Sequence, residues 1–244
     1  MNGNEIVQNL LDKIAGMTGK PKGAYNIRKD CGCDGRSSTN NIQITNQEGR
    51  PGIVVSIKEG TVGETRPGIE ETVYNDFEIG PGCDVTIVAG CGIHNCGEAD
   101  SRHDGVHTFR VGKNSRVHYS EKHYGEGDGK GGRIMNPQTV VYLDEGASLQ
   151  MDTVQIGGVD STKRDTRIYC GAGAEAVVTE RLMTHGGQRA DSVMVIELNG
   201  EDSKGRVISR SVARDASSQF FRPCVIGNAK CFGHVQCDSI IMDE

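Results

Sequence analysis

The chain has 244 residues with 27 Lys or Arg against 33 Asp or Glu, a formal net charge of −6 at pH 7. This acidic balance, with six Tyr, five Phe, no Trp and no block of basic residues, argues against a nucleic-acid partner, because phosphate backbones require a concentrated basic surface. No apolar run approaches the roughly 20 residues of a membrane-spanning helix, which excludes membrane insertion.

The N-terminus begins MNGNEIVQNLL, without the basic and apolar regions of a secretion signal. The chain contains nine cysteines, an odd number, and is long enough to bury a core without disulfides. We therefore expect a reduced, cytoplasmic protein whose cysteines serve another purpose.

Residues 4–17 form the one clear predicted helix. Apolar residues such as Ile6 and Leu10 recur there at helical spacing, Asn4 is placed to cap the helix, and Gly16 ends it. We expect residues 1–41 to form an N-terminal helix and a connecting segment.

From Ile42 onward the pattern changes to short β-branched runs with a period of two, which predicts strands. Turns follow these runs at a regular spacing of 32, 32, 27, 28 and 28 residues. The first residues of the aligned turns are Gly80, Gly112, Asp144, Gly171, Asn199 and Gly227.

A period of about 30 residues predicts a stacked architecture, and the unit of strand, turn and strand contains no helical pattern. The sequence therefore predicts a parallel β-helix over residues 42–244, in which the turns stack in a column and the strands after them run parallel. A β-sandwich is the alternative, although sandwiches seldom keep so regular a turn period.

The densest group of metal-competent residues lies in CGIHNCGEADSRHDGVH, which contains Cys91, His94, Cys96, His103 and His107. The spacings C-x2-H-x-C and H-x3-H are compatible with a metal site, but they do not match the usual zinc-finger pairs. The competing interpretation is a polar, glycine-rich loop between coils.

The segment KHYGEGDGKGG is superficially similar to a phosphate-binding loop. Lys130 is followed by glycine rather than Ser or Thr, and Tyr124 stands where the first glycine is required, so nucleotide binding is rejected. The chain also has no GxSxG or HExxH sequence that would indicate hydrolase or zincin chemistry.

Near the C-terminus, CFGHVQCDS places Cys231, His234 and Cys237 in a predicted strand. Side chains alternate between the two faces of a strand, so the two cysteines point one way and the histidine the other. A single metal cannot reach all three without a bend. The simplest interpretation is that the cysteines pack in a β core as small hydrophobic residues.

The chain resembles the SufB/SufD family of iron–sulfur cluster assembly proteins. The resemblance covers roughly residues 24–242 and is carried, in order, by VYNDFEIG, VTIVAGCGIHNC, HDGVHTF, EKHYGEGDG, VVTERLMTHG, RVISRSVARD and NAKCFGHVQCDSIIMD. It implies a right-handed parallel β-helix, which agrees with the fold predicted from the repeat.

The resemblance also implies a function and its residues. The cysteine of a QCDS motif is implicated in holding a nascent, transient iron–sulfur cluster, and this cysteine is Cys237 here. Other candidate ligands are Cys231 and His234, then Cys91, His94 and Cys96. The implied role is a non-enzymatic scaffold that accepts iron and sulfide while a SufC-like ABC-type ATPase supplies conformational work.

This chain departs from the family pattern after the QCDS motif. The family's His and Glu after the QCDS motif, and the helical region that binds the ATPase, have no counterpart before Glu244. We therefore expect a labile cluster, weak ATPase binding, and self-association or pairing with a second SufB/SufD-like subunit through the last strand. The alternatives are a metal-dependent enzyme with a site between Cys91 and His107, or a purely structural β-helix.

Overall fold

Parallel β-strands make up nearly all the regular structure in the computed structural model, which describes residues 24–28, 38–45, 53–63 and 69–242. One sheet contains β1 (Ala24–Arg28), β3 (Ile53–Gly63), β5 (Asp84–Asn95), β7 (Arg116–Glu126), β10 (Ser148–Gln155), β12 (Glu175–Thr184), β14 (Lys204–Arg214) and β16 (Phe232–Met242). The other contains β2 (Ser38–Ile44), β4 (Glu70–Ile79), β6 (Ser101–Val111), β8 (Arg133–Met135), β9 (Gln138–Leu143), β11 (Ser161–Cys170), β13 (Arg189–Leu198) and β15 (Ser218–Gly227).

The two sheets form the faces of a β-solenoid of about six turns. Each strand pairs in parallel with the strand of the same sheet one coil away, and β8 and β9 together fill one position between β6 and β11. The predicted parallel β-helix is therefore confirmed, and the β-sandwich alternative is wrong. Because every coil adds one strand to each face, residues about 30 positions apart become direct neighbours.

The predicted column of turns is confirmed by its backbone hydrogen bonds. The amide of Gly112 donates to the carbonyl of Ile79 at 2.8 Å, and the amide of Gly171 donates to that of Leu143 at 2.9 Å. Gly80, Asp144 and Asn199 make the equivalent bond, while in the last turn Asn228 makes it in place of the adjacent Gly227. Each turn is thus bonded to the coil before it.

A left-handed residue lies two or three positions after the start of the first five of these six turns. The φ angles are 68° at Gly82, 56° at Asn114, 68° at Gly146, 63° at Gly173 and 58° at Asp202. Only Gly, Asn and Asp adopt this conformation at low cost, which explains why these residue types recur at the turns.

The core lies between the two sheets and is filled by the inward-facing half of each strand. Phe77 and Phe109 stack with centroids 4.4 Å apart, and Tyr119 meets Phe109 edge-on at 5.0 Å. All three side chains are buried, so the largest aromatic contacts hold the middle coils together.

Gly125 lies where two coils approach too closely for any side chain. A Cβ built there would overlap the backbone carbonyl of Gly158, whose own φ of +77° already requires glycine. We expect Gly125→Ala to lower the free energy of unfolding by about 3 kcal/mol, the upper part of the range for overpacking, because backbone rather than a flexible side chain must move. Urea denaturation measures this.

Gly187→Ala is the matched control, since a Cβ at Gly187 meets no atom within 4 Å. The control should change stability by less than about 1 kcal/mol. Equal effects at the two positions would contradict the close approach of the coils at Gly125.

The predicted helix over residues 4–17 lies outside the described residues, and the domain division at residue 41 stays a prediction. In the part of the chain that the structure describes, no helix has the length and apolar character needed to cross a membrane.

Candidate cysteine and metal sites

The segment from Cys91 to His107 is mostly strand, and the predicted loop is limited to residues 96–100. β5 continues to Asn95 because its last residues pair in register with both β3 and β7. Of the three glycines in the segment, Gly92 lies in β5 and Gly105 in β6, and only Gly97 lies in the loop. The interpretation of the whole segment as a loop between coils is therefore wrong.

His94 and Cys96 lie together at the surface. The Nε2 atom of His94 is 2.9 Å from the Sγ atom of Cys96, and its Nδ1 atom is 3.3 Å from Glu126 Oε1. These two side chains lie on the outside of the solenoid, so they are separated from the buried members of the predicted group.

His103 is fully buried against a carboxylate of the preceding coil. Its Nδ1 atom is 3.3 Å from Glu71 Oε2, and both side chains are almost inaccessible to solvent. The structure therefore divides the five predicted residues into the outer pair of His94 and Cys96, His103 alone beside Glu71, and a third group formed by Cys91 and His107.

Cys91, His107 and Glu121 meet inside the solenoid. They come from the inward faces of β5, β6 and β7, and their ligand-type atoms all lie within 4.8 Å of one another. His107 Nε2 is 3.3 Å from Glu121 Oε1, and all three residues are buried. A thiol, an imidazole and a carboxylate thus converge in a site that bulk water does not reach.

His123 and Arg164 extend this cluster on the Glu121 side. His123 Nε2 is 3.2 Å from Glu121 Oε1, and the guanidinium of Arg164 donates to His123 Nδ1 at 2.9 Å. Arginine can only donate, so His123 Nδ1 must be the acceptor and a neutral ring carries its proton on Nε2.

Burial opposes the charged form of Glu121, but His123 and His107 beside it hold the pKa of this carboxyl well below its ordinary value. Burial lowers the pKa of His123, and Glu121 offsets this only in part. At neutral pH Glu121 is therefore ionised, and it lies between the two imidazole rings.

Glu121, His123, Arg164 and Glu180 were not among the residues predicted from the sequence. A signal for two of them is nevertheless present in VHYSEKHY. The alternate, inward-facing positions that begin with Val117 and Tyr119 continue with Glu121 and His123. Extending this alternation places two ionisable groups on the inward face, which is unusual for a core position and marks a candidate site.

An inward-facing row of polar positions connects this cluster to the last coil. In the parallel register Glu121 is next to Thr153, Thr153 to Glu180, Glu180 to Ser209, and Ser209 to Cys237. The first four side chains are buried, whereas Cys237 is exposed. Cys237 therefore lies at the accessible end of the row.

The Cys237 thiol lies in an acidic environment. Partial burial, followed by the neighbouring Asp238 and Glu180 carboxylates, raises the pKa of this thiol above its ordinary value. A bound cation would be attracted by the same carboxylates and would favour the thiolate.

The structure does not gather Cys231, His234 and Cys237 into one site. Cys231 precedes β16 and packs partly buried against the main core cluster. His234 is exposed and pairs in register with the exposed Arg206, on the face opposite to Cys237. The expected alternation of faces is thus observed.

Comparison with known proteins identifies one matching family model, described as SUF system FeS cluster assembly, SufBD core domain, over residues 74–244. No solved structure matches the chain.

Three similar curated proteins are named iron–sulfur cluster assembly SufBD family proteins. The one from Archaeoglobus fulgidus is 24% identical over 72% of this chain and 46% of its own length. Those from Methanocaldococcus jannaschii and Methanothermobacter thermautotrophicus are 28% and 23% identical, over 54% and 75% of this chain and 42% and 43% of their own lengths. The chain spans less than half the length of these relatives.

Proposed function

Since the chain belongs to the SufBD core-domain family of the SUF system for iron–sulfur cluster assembly, we propose that it is a non-enzymatic scaffold that holds a nascent cluster through the Cys237 thiolate. The observation that supports this most is the position of Cys237, an exposed thiol at the end of an inward row of polar side chains. Thiolate is the ligand that iron–sulfur clusters prefer.

An exposed ligand suits a cluster that is cargo rather than a resident group, because the cluster must leave for an acceptor. One cysteine cannot complete a cluster, which is normally held by four protein ligands. Gln236 and Asp238 alternate to the opposite face from Cys237. We therefore propose that the remaining ligands come from a second SufB/SufD-like subunit or from a second copy of this chain.

The experiment is anaerobic reconstitution with ferrous iron and sulfide, followed by optical spectra and by iron and sulfide analysis. The proposal expects sulfur-to-iron charge-transfer absorption that travels with the protein through gel filtration. Colourless, tightly bound metal would instead support a metal enzyme, and the absence of both would support a purely structural solenoid.

We further propose a SufC-like ABC-type ATPase as a partner in the cytoplasm, as the SUF system implies.

Pairing with a second subunit is supported by the large apolar side chains exposed on β16, among them Val235, Ile240, Ile241 and Met242. We expect sedimentation velocity to show concentration-dependent self-association. Ile241→Lys, at an 81% exposed position, should weaken it, and a monomer at all concentrations would contradict self-association.

A further inference from the structure

We propose that Cys91, His107 and Glu121 form a site for one divalent transition-metal ion, of the zinc or ferrous class, inside the solenoid. This inference does not rest on cluster binding at Cys237. It rests on three ligand-type atoms from three different strands that all lie within 4.8 Å of one another in a buried position.

The geometry suits tetrahedral coordination. Two nitrogen or oxygen ligands bound at roughly 2.0–2.1 Å to a tetrahedral ion are about 3.3 Å apart. His107 Nε2 and Glu121 Oε1 are separated by 3.3 Å. An ion therefore fits between these two atoms, and Cys91 Sγ, within 4.8 Å of both, becomes the third ligand through a small adjustment of its side chain.

The donor set selects the class of ion. A thiolate with an imidazole and a carboxylate suits zinc or ferrous iron, whereas magnesium and calcium prefer oxygen ligands alone. Cys91 also packs with Ile93, Met135 and Val159, an apolar cluster that shields its sulfur from water. Three protein ligands leave one position for water or an exogenous ligand.

Neighbouring side chains orient the ligands. The Asn75 amide nitrogen lies 3.1 Å from His107 Nδ1, and the Asn75 amide oxygen accepts from the Asn40 amide nitrogen at 2.7 Å. Turning both amides by 180° places the Asn75 oxygen at His107 Nδ1, where it accepts the Nδ1 proton and directs the unprotonated Nε2 to the metal.

His123 is a positioning residue rather than a ligand. Arg164 occupies the Nδ1 atom of His123 as a donor, and the Nε2 atom of His123 lies 3.2 Å from Glu121 Oε1. This contact holds the carboxylate in place. The alternative is a core cluster joined only by hydrogen bonds.

The test uses the full chain with serine at the other thiols that could compete for metal, namely Cys31, Cys33, Cys96, Cys224, Cys231 and Cys237. Cobalt(II) is added anaerobically and followed by optical spectroscopy. We expect one Co²⁺ per chain, with thiolate-to-cobalt charge transfer and the strong ligand-field bands of a tetrahedral ion. Zinc should displace it stoichiometrically.

In this background Cys91→Ala should weaken Co²⁺ binding by more than about 100-fold, above the range for loss of an orienting neighbour, and remove the charge-transfer band. The matched control is Cys170→Ala, another buried cysteine whose pKa is raised to about 12 by burial, and its binding should be unchanged. A cobalt spectrum that is identical in Cys91→Ala overturns the proposal, as does a folded parent that binds no Co²⁺.

X-ray absorption of the zinc-loaded parent gives a second measurement that needs no variant at the site. One sulfur at about 2.3 Å with two or three nitrogen or oxygen neighbours at about 2.0 Å is expected. A shell of nitrogen and oxygen alone would overturn the site. Because Cys237 is absent from this background, the outcome is independent of cluster binding.

Discussion

Cys237→Ser is expected to abolish the iron–sulfur absorption of the reconstituted chain and to leave its fold intact. Serine keeps the size of the side chain but replaces a soft thiolate with a hydroxyl, which is a poor ligand for a cluster. The side chain is exposed on β16, so the substitution should change the free energy of unfolding by less than about 0.5 kcal/mol. Optical spectra with iron and sulfide analysis measure the first effect, and urea denaturation the second.

Two other cysteines near the C-terminus provide matched controls for this result. Cys224 is exposed on β15, in the other sheet, and Cys224→Ser should retain the cluster. Cys231→Ser should reduce the iron–sulfur absorption less than Cys237→Ser does. Cys231 packs against the core, so serine at this position lowers the stability of the fold and does not remove a cluster ligand. A Cys237→Ser protein that reconstitutes as fully as its parent would remove the basis for the proposed scaffold.

The fold could be predicted because its determinants are local and repeated. Turns such as Gly112–Asn114 and Gly171–Gly173 need a left-handed residue at a fixed position, and the strands between them alternate. Both signals are visible within a few residues of each other. Once the period is about 30 residues, parallel stacking follows from the need to cover each coil's edge.

The buried site could be predicted only in part, because its members are brought together by coil stacking. Cys91 and His107 belong to a dense sequence cluster, yet that cluster also contains His94, which lies with Cys96 outside. Glu121 comes from the next coil, and its position depends on the register of β7 against β5. A register between coils cannot be read from a spacing within one segment.

Arg164 and Glu180 test whether the polar interior is held together by charge. Arg164 Nη1 is 3.7 Å from Glu180 Oε2, both side chains are buried, and Ser192 donates to the same carboxylate oxygen at 2.8 Å. Removing either charge leaves the other without its partner in a site where water cannot compensate. We expect Arg164→Leu and Glu180→Leu each to lower the free energy of unfolding by about 3–5 kcal/mol.

The double variant Arg164→Leu with Glu180→Leu should be more stable than either single variant, because no uncompensated charge then remains in the core. Arg110 and Glu78 form a matched pair on the surface, 2.9 Å apart and about half exposed, and Arg110→Leu should cost no more than about 1 kcal/mol. Urea denaturation of the parent, the two single variants and the double variant gives the coupling free energy between the two charges, and the same measurement on Arg110→Leu gives the surface control. If the interior singles cost no more than the surface control, or if the double variant loses the sum of the single effects, the two charges do not interact across the core.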